Sequence, residues 1–155
     1  PTPTLRQIIT LIPQRNSLFV GMSIIDNILY GTKATKEDLD FLLNQYPSLK
    51  NVLFNDSSEL EFLSRIYDGS NVSGGQKRII INLRGTLRTL SLQSLIVIID
   101  EPIVGLNETA AIDTLKMIND IFQEQTVIMV EHELQKNTSY LQYLPNFEKK
   151  NINNP

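Results

Sequence analysis

The sequence contains no cysteine and only one histidine among its 155 residues. Without cysteine the chain cannot carry a disulfide framework, and a reducing compartment is permitted. It also has no excess of positive charge, because 14 basic and 17 acidic residues give a net charge of -3. This balance argues against the strongly basic footprint of a nucleic-acid-binding protein, so no nucleic-acid partner is expected.

Long hydrophobic runs are absent as well. The longest are LIVII at 95–99 and VIMV at 127–130, far short of a bilayer span. Both are rich in β-branched residues and bounded by polar ones, which predicts buried strands. The chain opens on Pro1 without a signal peptide, and we expect a fragment or a processed product. Its length fits one domain.

The predicted elements alternate between strands and helices. Strands are predicted at 6–14, 95–100 and 126–130. A short helix is predicted at 23–31, and a second runs from a capping-box spacing at Thr35 and Asp38 up to Pro47. Two further helices are predicted to start at Ser73 and after Asn107. This order predicts an α/β fold with a parallel sheet. We interpret about 20–90 as an inserted helical subdomain, 1–19 and 91–135 as the α/β core, and 136–155 as an irregular tail.

The long helix predicted from Ser73 has an apolar stripe of Ile79, Leu83, Leu87 and Leu90. Gly85 lies inside it and costs about 1 kcal/mol relative to alanine, which argues against a perfectly regular helix.

The helix opens on the tetrapeptide of Ser73, Gly74, Gly75 and Gln76. The first amide groups of a helix lack intrahelical partners, and glycine lets an anion approach them closely. A serine hydroxyl and a glutamine amide add donors, so one interpretation is a phosphate-binding loop. The other is a flexible loop whose serine caps the helix. The tetrapeptide alone does not separate the two.

Polar residues follow each predicted strand. Asp100 and Glu101 end the strand at 95–100, where parallel α/β proteins bind ligands. An aspartate there can hold Mg2+ and a glutamate beside it can polarise a water, although two acids before Pro102 can also simply start a helix. Gln14 follows the first strand, and His132 follows the third, where it becomes a candidate phosphate ligand.

Taken in order, the segments LIPQRNSLFVGMSIIDNILYG, VSGGQKR, LIVIIDEPIVGLN and VIMVEHE resemble the ATPase domain of the ATP-binding cassette (ABC) family. The resemblance covers roughly residues 8–133 and is most like the exporter type. Gln14 matches the Q-loop, 73–76 the signature motif, Asp100 the Walker B magnesium ligand, Glu101 the catalytic base and His132 the switch histidine. The fold implied is part of a P-loop NTPase (RecA-like) domain.

The resemblance implies an ATPase that uses ATP and Mg2+ on the cytoplasmic face of a membrane. Two such domains would pair head to tail, with each ATP between one domain's Walker A loop and the other's signature loop. Glu101 would activate water, His132 would contact the γ-phosphate, and Gln14 would sense both Mg2+ and a transmembrane transporter domain. Catalysis would consist mainly of positioning and charge stabilisation.

The sequence departs from the family pattern at several points. No Gly-Lys pair occurs, so the Walker A loop GxxxxGK[ST] is expected upstream of Pro1, and the chain as given is expected to be inactive alone. Without the Walker A strand, an apolar strand edge should be left unpaired. Val72 stands where the signature motif usually has leucine, and Asn107 where the D-loop usually has aspartate.

Three functions therefore compete. The first is the catalytic ATPase module of a transporter. The second is a non-catalytic module that offers its signature loop to a partner's ATP, favoured by Asn107 and the absent Walker A loop but not by the intact Asp100, Glu101 and His132. The third, a chromosome-maintenance ATPase of the same superfamily, is disfavoured because no long coiled coil separates Gln14 from Ser73.

Overall fold

Three parallel strands form the sheet in the computed structural model, which describes residues 5, 8–15, 18–55 and 57–148. Its order is β1 (Ile9–Ile12), β2 (Ile96–Asp100) and β3 (Thr126–Val130). Ile9 aligns with Ile96, and Ile96 aligns with Thr126. The predicted α/β class and the parallel pairing are confirmed. Arg6, the expected start of the first strand, lies outside the described residues.

All three strands end at the same edge of the sheet because they are parallel. Gln14, Glu101 and His132 follow β1, β2 and β3 within two residues of each strand end. The topology alone therefore places these three polar side chains along one edge.

Helices occupy most of the remaining described residues. They are α1 (Ile24–Leu29), α2 (Lys36–Gln45), α3 (Pro47–Phe54), α4 (Glu59–Ser64), α5 (Gly74–Leu92), α6 (Glu108–Ile121), α7 (Glu133–Lys136) and a 3₁₀ helix (Thr138–Tyr143). The capping box predicted at Thr35 and Asp38 is present, and Pro47 both ends the run of α2 and starts α3 at a position where proline is tolerated.

Helix α5 is shared by two hydrophobic clusters. Ile79, Leu83 and Leu87 are buried with α1–α4, whereas Ile81 faces the sheet with Ile12. Leu90, predicted for the same stripe, is 47% exposed and lines a surface groove with Phe41 and Leu42 of α2. The division between a helical subdomain at 20–90 and an α/β core stays a prediction.

Gly85 brings α5 into close contact with β1. The helix continues through it to Leu92, so the irregularity expected there is absent. A Cβ atom at this position would lie 2.6 Å from Cδ1 of Ile12, and closer still to its Cγ1. Ile12 is fully buried. The glycine therefore sets the distance between helix and sheet.

Arg78 joins the first turns of α5 to the ends of two strands. Its Nη1 donates to the carbonyl oxygens of Pro13 at 2.9 Å, Gln14 at 3.2 Å and Asp100 at 3.4 Å. Its Nη2 donates to Oδ1 of Asn82 at 2.8 Å, one helical turn later. We call this arrangement the arginine bridge.

Asn82 completes the arginine bridge. Its Nδ2 donates to the carbonyl oxygen of Pro102 at 2.8 Å, so the loop after β2 is also held. Burial lowers the pKa of Arg78 to about 10, against the electrostatic effect of Glu131, Asp100 and Glu101, which raises it. The guanidinium thus stays charged near pH 7 although it is buried.

The C-terminal part is more ordered than the irregular tail predicted from 136. The 3₁₀ helix contacts α6, and Leu144 is buried against Ile103 and Leu115. Residues 149–155 of that tail lie outside the described residues. In the described part of the chain, no helix has the length and apolar character that a membrane crossing requires.

One face of the sheet is open. Leu11, Ile128 and Val130 point to this face and are exposed, whereas Ile12, Val97 and Ile99 on the other face are buried. Within the described residues, β3 pairs only with β2. The sheet thus presents apolar side chains on the face away from α5. In addition, the outer edge of β3 has no strand partner among the described residues.

We predict that Gly85→Ala lowers the free energy of unfolding by about 1–3 kcal/mol, because the new methyl group must displace Ile12. Urea unfolding measures the change. Gly74→Ala is the matched control, since its Cβ would have no atom within 4 Å, and its effect should stay below about 1 kcal/mol. Equal effects of the two variants would contradict the role assigned to Gly85.

We predict that Arg78→Met lowers the free energy of unfolding by about 3 kcal/mol. The substitution keeps an unbranched side chain but leaves the carbonyl groups at two strand ends without their charged donor. Arg15→Met, the same change at an exposed side chain, should alter stability by no more than about 0.5 kcal/mol in the same urea titration. A variant as stable as the Arg15 control would show that the bridge contributes nothing.

Candidate functional site

Glu101 lies at the centre of the carboxyl edge of the sheet. Its backbone is left-handed, with φ +47, a conformation that costs a non-glycine residue about 1–3 kcal/mol. Its N–H donates to the carbonyl oxygen of Val130 at 2.8 Å, which fixes the strained residue to the end of β3. Backbone strain of this kind is concentrated at functional sites.

Gln14 and His132 flank the Glu101 carboxylate from the two neighbouring strands. Nε2 of Gln14 donates to Oε2 of Glu101. Nε2 of His132 lies 3.5 Å from Oε1 of the same carboxylate. The glutamate side chain is 15% exposed and the histidine 63%, so the acid sits between its partners while the imidazole faces solvent. The structure therefore brings three predicted site residues together.

Asp100 precedes this cluster as the last residue of β2. Its carbonyl oxygen belongs to the arginine bridge. Among the described residues, no group of three or more histidine and acidic side chains is arranged to hold a metal. Asp100 and Gln14 nevertheless fit Mg2+, which needs one or two protein oxygens and takes its other ligands from water and phosphate. Because the Gln14 amide nitrogen is bonded to Glu101, its oxygen is the group left for a cation.

Glu131 lies directly before His132 and is 8% exposed. Its Oε2 accepts the N–H of Ile103 at 3.2 Å and its Oε1 accepts the N–H of Glu133 at 2.9 Å. Burial raises the pKa of this carboxyl, and these two backbone hydrogen bonds oppose the rise. The side chain thus links the loop after β2 with the start of α7.

Ser73 and Gln76 form a capping box at the start of α5. The Ser73 hydroxyl accepts the N–H of Gln76 at 3.2 Å, and Oε1 of Gln76 accepts the N–H of Ser73 at 2.9 Å. Nε2 of Gln76 donates to the carbonyl oxygen of Leu53 at 2.8 Å. The capping interpretation therefore describes the local structure, and Gly74 and Gly75 hold the first amide groups of the helix.

The tetrapeptide and the glutamate cluster occupy separate places. Within the described residues, no hydrogen bond joins 73–76 to Gln14, Glu101 or His132, whereas a Cβ at Gly75 would lie 3.4 Å from the carbonyl oxygen of Gly105. The two regions are connected through α5, through the arginine bridge, and through the close approach of Gly75 to the loop after β2.

Asn107 caps α6. Its Oδ1 accepts the N–H of Ala110 at 2.9 Å and the hydroxyl of Thr109 at 3.1 Å. The predicted cap is confirmed, and this side chain has a structural use whatever else it does.

Arg78, Asn82 and Glu131 were not among the predicted site residues. A signal for the first two does exist, because an arginine and an asparagine four positions apart interrupt the apolar side of a helix. Such a pair is buried only when it meets polar partners. Glu131 carries no comparable signal, since its partners are backbone N–H groups, one of them 28 positions away at Ile103.

Comparison with known proteins gives a consistent assignment. No protein-family model matches the sequence. The chain is 30% identical over 130 residues to the glutathione/L-cysteine transport system ATP-binding/permease protein CydC of Escherichia coli (strain K12), covering 84% of this chain and 21% of CydC. It is 28% identical over 134 residues to the putative ABC transporter ATP-binding protein VPA1482 of Vibrio parahaemolyticus, covering 83% and 21%.

A solved structure shows the same fold. The structure of a bacterial Atm1-family ABC exporter with ATP bound matches with a TM-score of 0.64 and 22% identity, covering 84% of this chain and 22% of the exporter. The chain thus spans about a fifth of the length of the relatives it matches. The order of its motifs, its parallel α/β sheet and these relatives agree: the homologues of this chain are ABC transporter ATP-binding proteins, and its fold matches part of a P-loop NTPase domain.

Proposed function

We propose that the chain is part of the nucleotide-binding domain of an ABC transporter, which binds and hydrolyses ATP to drive transport. The observation that carries the proposal is the cluster of Gln14, Glu101 and His132, with Asp100 adjacent, at the carboxyl edge of a parallel sheet. Ligands of α/β proteins bind at this edge. Relatives named as ATP-binding proteins support it.

Glu101 is the proposed general base. Its carboxylate lies between Gln14 and His132, so it can accept a proton from a water that approaches the γ-phosphate. The exposed imidazole of His132 faces the same position and can contact the phosphate while remaining close to Glu101. The chain's own contribution to phosphoryl transfer is then to orient the water and the phosphate.

Asp100 and the amide oxygen of Gln14 are the proposed Mg2+ ligands. When bound, Mg2+ would neutralise phosphate charge. Gln14 touches the proposed base and would also hold the cation, so its position could report on the presence of nucleotide.

The signature loop is proposed to act on the ATP of a second ABC domain. The amide groups of Gly74 and Gly75 open α5, where the helix dipole favours an anion. The Ser73 hydroxyl caps the same turn. Because this loop makes no hydrogen bond with the chain's own Glu101 cluster among the described residues, a head-to-tail dimer is the arrangement that uses both.

A transmembrane transporter domain is proposed to bind beside the Gln14 loop, which would place the chain at the cytoplasmic face of a membrane. Phe19, Val20, Tyr30 and Ile66 are exposed there. The rings of Phe19 and Tyr30 are 4.3 Å apart, and a bridge between Ser23 and Ile66 holds the segments side by side. Exposed apolar groups that form one surface indicate an interaction site.

A second candidate function is a non-catalytic module that supplies only its signature loop. Asn107, whose side chain is used to cap α6, favours it, as does the lack of a Gly-Lys pair in the sequence. The contacts of Glu101 with Gln14 and His132 favour the catalytic function.

We predict that the 155-residue chain alone binds Mg-ATP no more tightly than about 1 mM and does not hydrolyse it, because it has no Walker A lysine to hold the β- and γ-phosphates. Isothermal titration calorimetry and a phosphate-release assay measure the two quantities. Micromolar binding by the monomer would show that other residues supply the phosphate contacts.

The catalytic proposal is tested in an N-terminally extended chain, in which the coding sequence upstream of Pro1 or a relative's P-loop segment supplies the Walker A loop. Glu101→Gln should retain ATP binding and reduce kcat about 10²–10⁴-fold, because an amide cannot accept the proton. The expected product is a long-lived ATP-bound dimer, detectable by size-exclusion chromatography.

Ser73→Arg is the companion variant in the extended chain. It should bind ATP as a monomer but neither dimerise nor hydrolyse, because the bulky cation blocks the loop that meets the partner's phosphates. Absence of hydrolysis in the unmodified extended chain would replace the catalytic function with the non-catalytic one. Hydrolysis that survives Glu101→Gln unchanged would show that Glu101 is not the general base.

A further inference from the structure

Two connections hold the turn after β3 against the loop after β2. One is the backbone hydrogen bond from the N–H of Glu101 to the carbonyl oxygen of Val130, at 2.8 Å. The other is made by a side chain, since the Glu131 carboxylate accepts the N–H groups of Ile103 and Glu133 at 3.2 and 2.9 Å. His132 lies between Glu131, which carries this carboxylate, and Glu133, whose N–H group donates to it.

A buried carboxylate is a costly choice for this purpose. Glu131 is 8% exposed, and the charges of Glu101 and Glu133 disfavour its ionised form. The cost is offset by the two backbone donors and by the buried charge of Arg78, on which Glu131 is the leading electrostatic influence. A simple packing role would be filled better by an apolar residue, so the two hydrogen bonds are what the glutamate adds.

We propose that Glu131 is a positioning residue that holds His132 opposite Glu101. Its Oε1 fixes the N–H of the residue that follows the histidine, and its Oε2 fixes the loop two residues beyond Glu101. The 3.5 Å approach of His132 Nε2 to Glu101 Oε1 depends on both anchors. The inferred role of Glu131 in hydrolysis rests on the proposed function, whereas its inferred effect on the position of His132 does not.

The Glu131→Gln variant distinguishes a positioning role of the carboxylate from a simple space-filling role of the side chain. The amide keeps the size and shape of the side chain, so the fold is retained, but it offers one acceptor oxygen where two are used. One N–H group, at Ile103 or at Glu133, loses its partner and the turn is released. Glu131→Ala removes both anchors and serves as the stronger variant.

Glu133→Gln is the matched control. It removes the same charge on the other side of His132, but its side chain is more exposed and pairs with Lys136 at 2.6 Å. The N–H that Glu131 uses belongs to the backbone of residue 133 and is unchanged. An effect shared by both variants would be a charge effect and would contradict positioning.

His132 is the only histidine in the sequence, so its imidazole gives a single set of signals in an NMR spectrum. In the 155-residue chain, Glu101→Gln should shift these signals because the two side chains are in contact. The same substitution should produce at most half of that shift in the Glu131→Gln background, and the full shift in the Glu133→Gln background. Hydrogen exchange at the Ile103 amide should accelerate at least tenfold in Glu131→Ala, relative to amides of β2.

Steady-state hydrolysis in the extended chain supplies the second readout. Glu131→Gln should lower kcat about 10–100-fold with KM changed less than about twofold, because a displaced histidine impairs the reacting geometry and not ATP binding. Glu133→Gln should leave both unchanged.

The outcomes are distinguishable. An undiminished response of His132 to Glu101→Gln in the Glu131→Gln background overturns the inference, whatever the hydrolysis rate. If the NMR response of His132 is diminished but the extended chain never hydrolyses ATP, the positioning role of Glu131 is upheld and the proposed catalytic function is removed. A normal kcat in Glu131→Gln with a diminished NMR response would show that the position of His132 does not limit turnover, and would overturn the role in hydrolysis.

Discussion

The hydrogen bonds of the buried Arg78 guanidinium are the contacts on which the packing of α5 against the strand ends depends. One charged group donates to three carbonyl oxygens at the ends of β1 and β2, and through Asn82 it reaches the loop after β2. Hydrogen bonds from a charged donor are stronger than neutral ones, and breaking them leaves buried carbonyl groups without partners. Helix α5, which opens on the signature motif, is therefore tied to the same strand ends that precede Gln14 and Glu101.

Close packing reinforces this tie further along the helix. Gly85 lets α5 lie directly on Ile12, and helix and strand then share one interface from the arginine bridge to the centre of the sheet. The opposite face of the sheet has no such cover, and its apolar side chains are exposed. The described residues thus form a layered arrangement in which helices cover one face of the sheet and apolar side chains stay exposed on the other.

Local signals in the sequence predicted much of this structure. The cap residues at Thr35, Ser73 and Asn107 act within one turn of their own helices, so their spacing alone specifies them. The strand ends that carry the site followed from short apolar runs and the rule of parallel pairing. What local patterns could not supply were contacts across the chain. Arg78 meets Pro13 through 65 positions of sequence separation, and Ile103 meets Glu131 through 28. Gly85 looked like a defect of its helix because its neighbour, Ile12, lies on another element.

The left-handed backbone at Glu101 has a wider consequence. A position with φ +47 suits glycine or asparagine, which adopt that conformation at little cost. Stability and chemistry therefore favour different residues there, and the chain keeps the one that strains its fold. Glycine or asparagine at 101 would suit the backbone better than glutamate, so this position exchanges stability of the fold for a carboxylate at the end of the central strand.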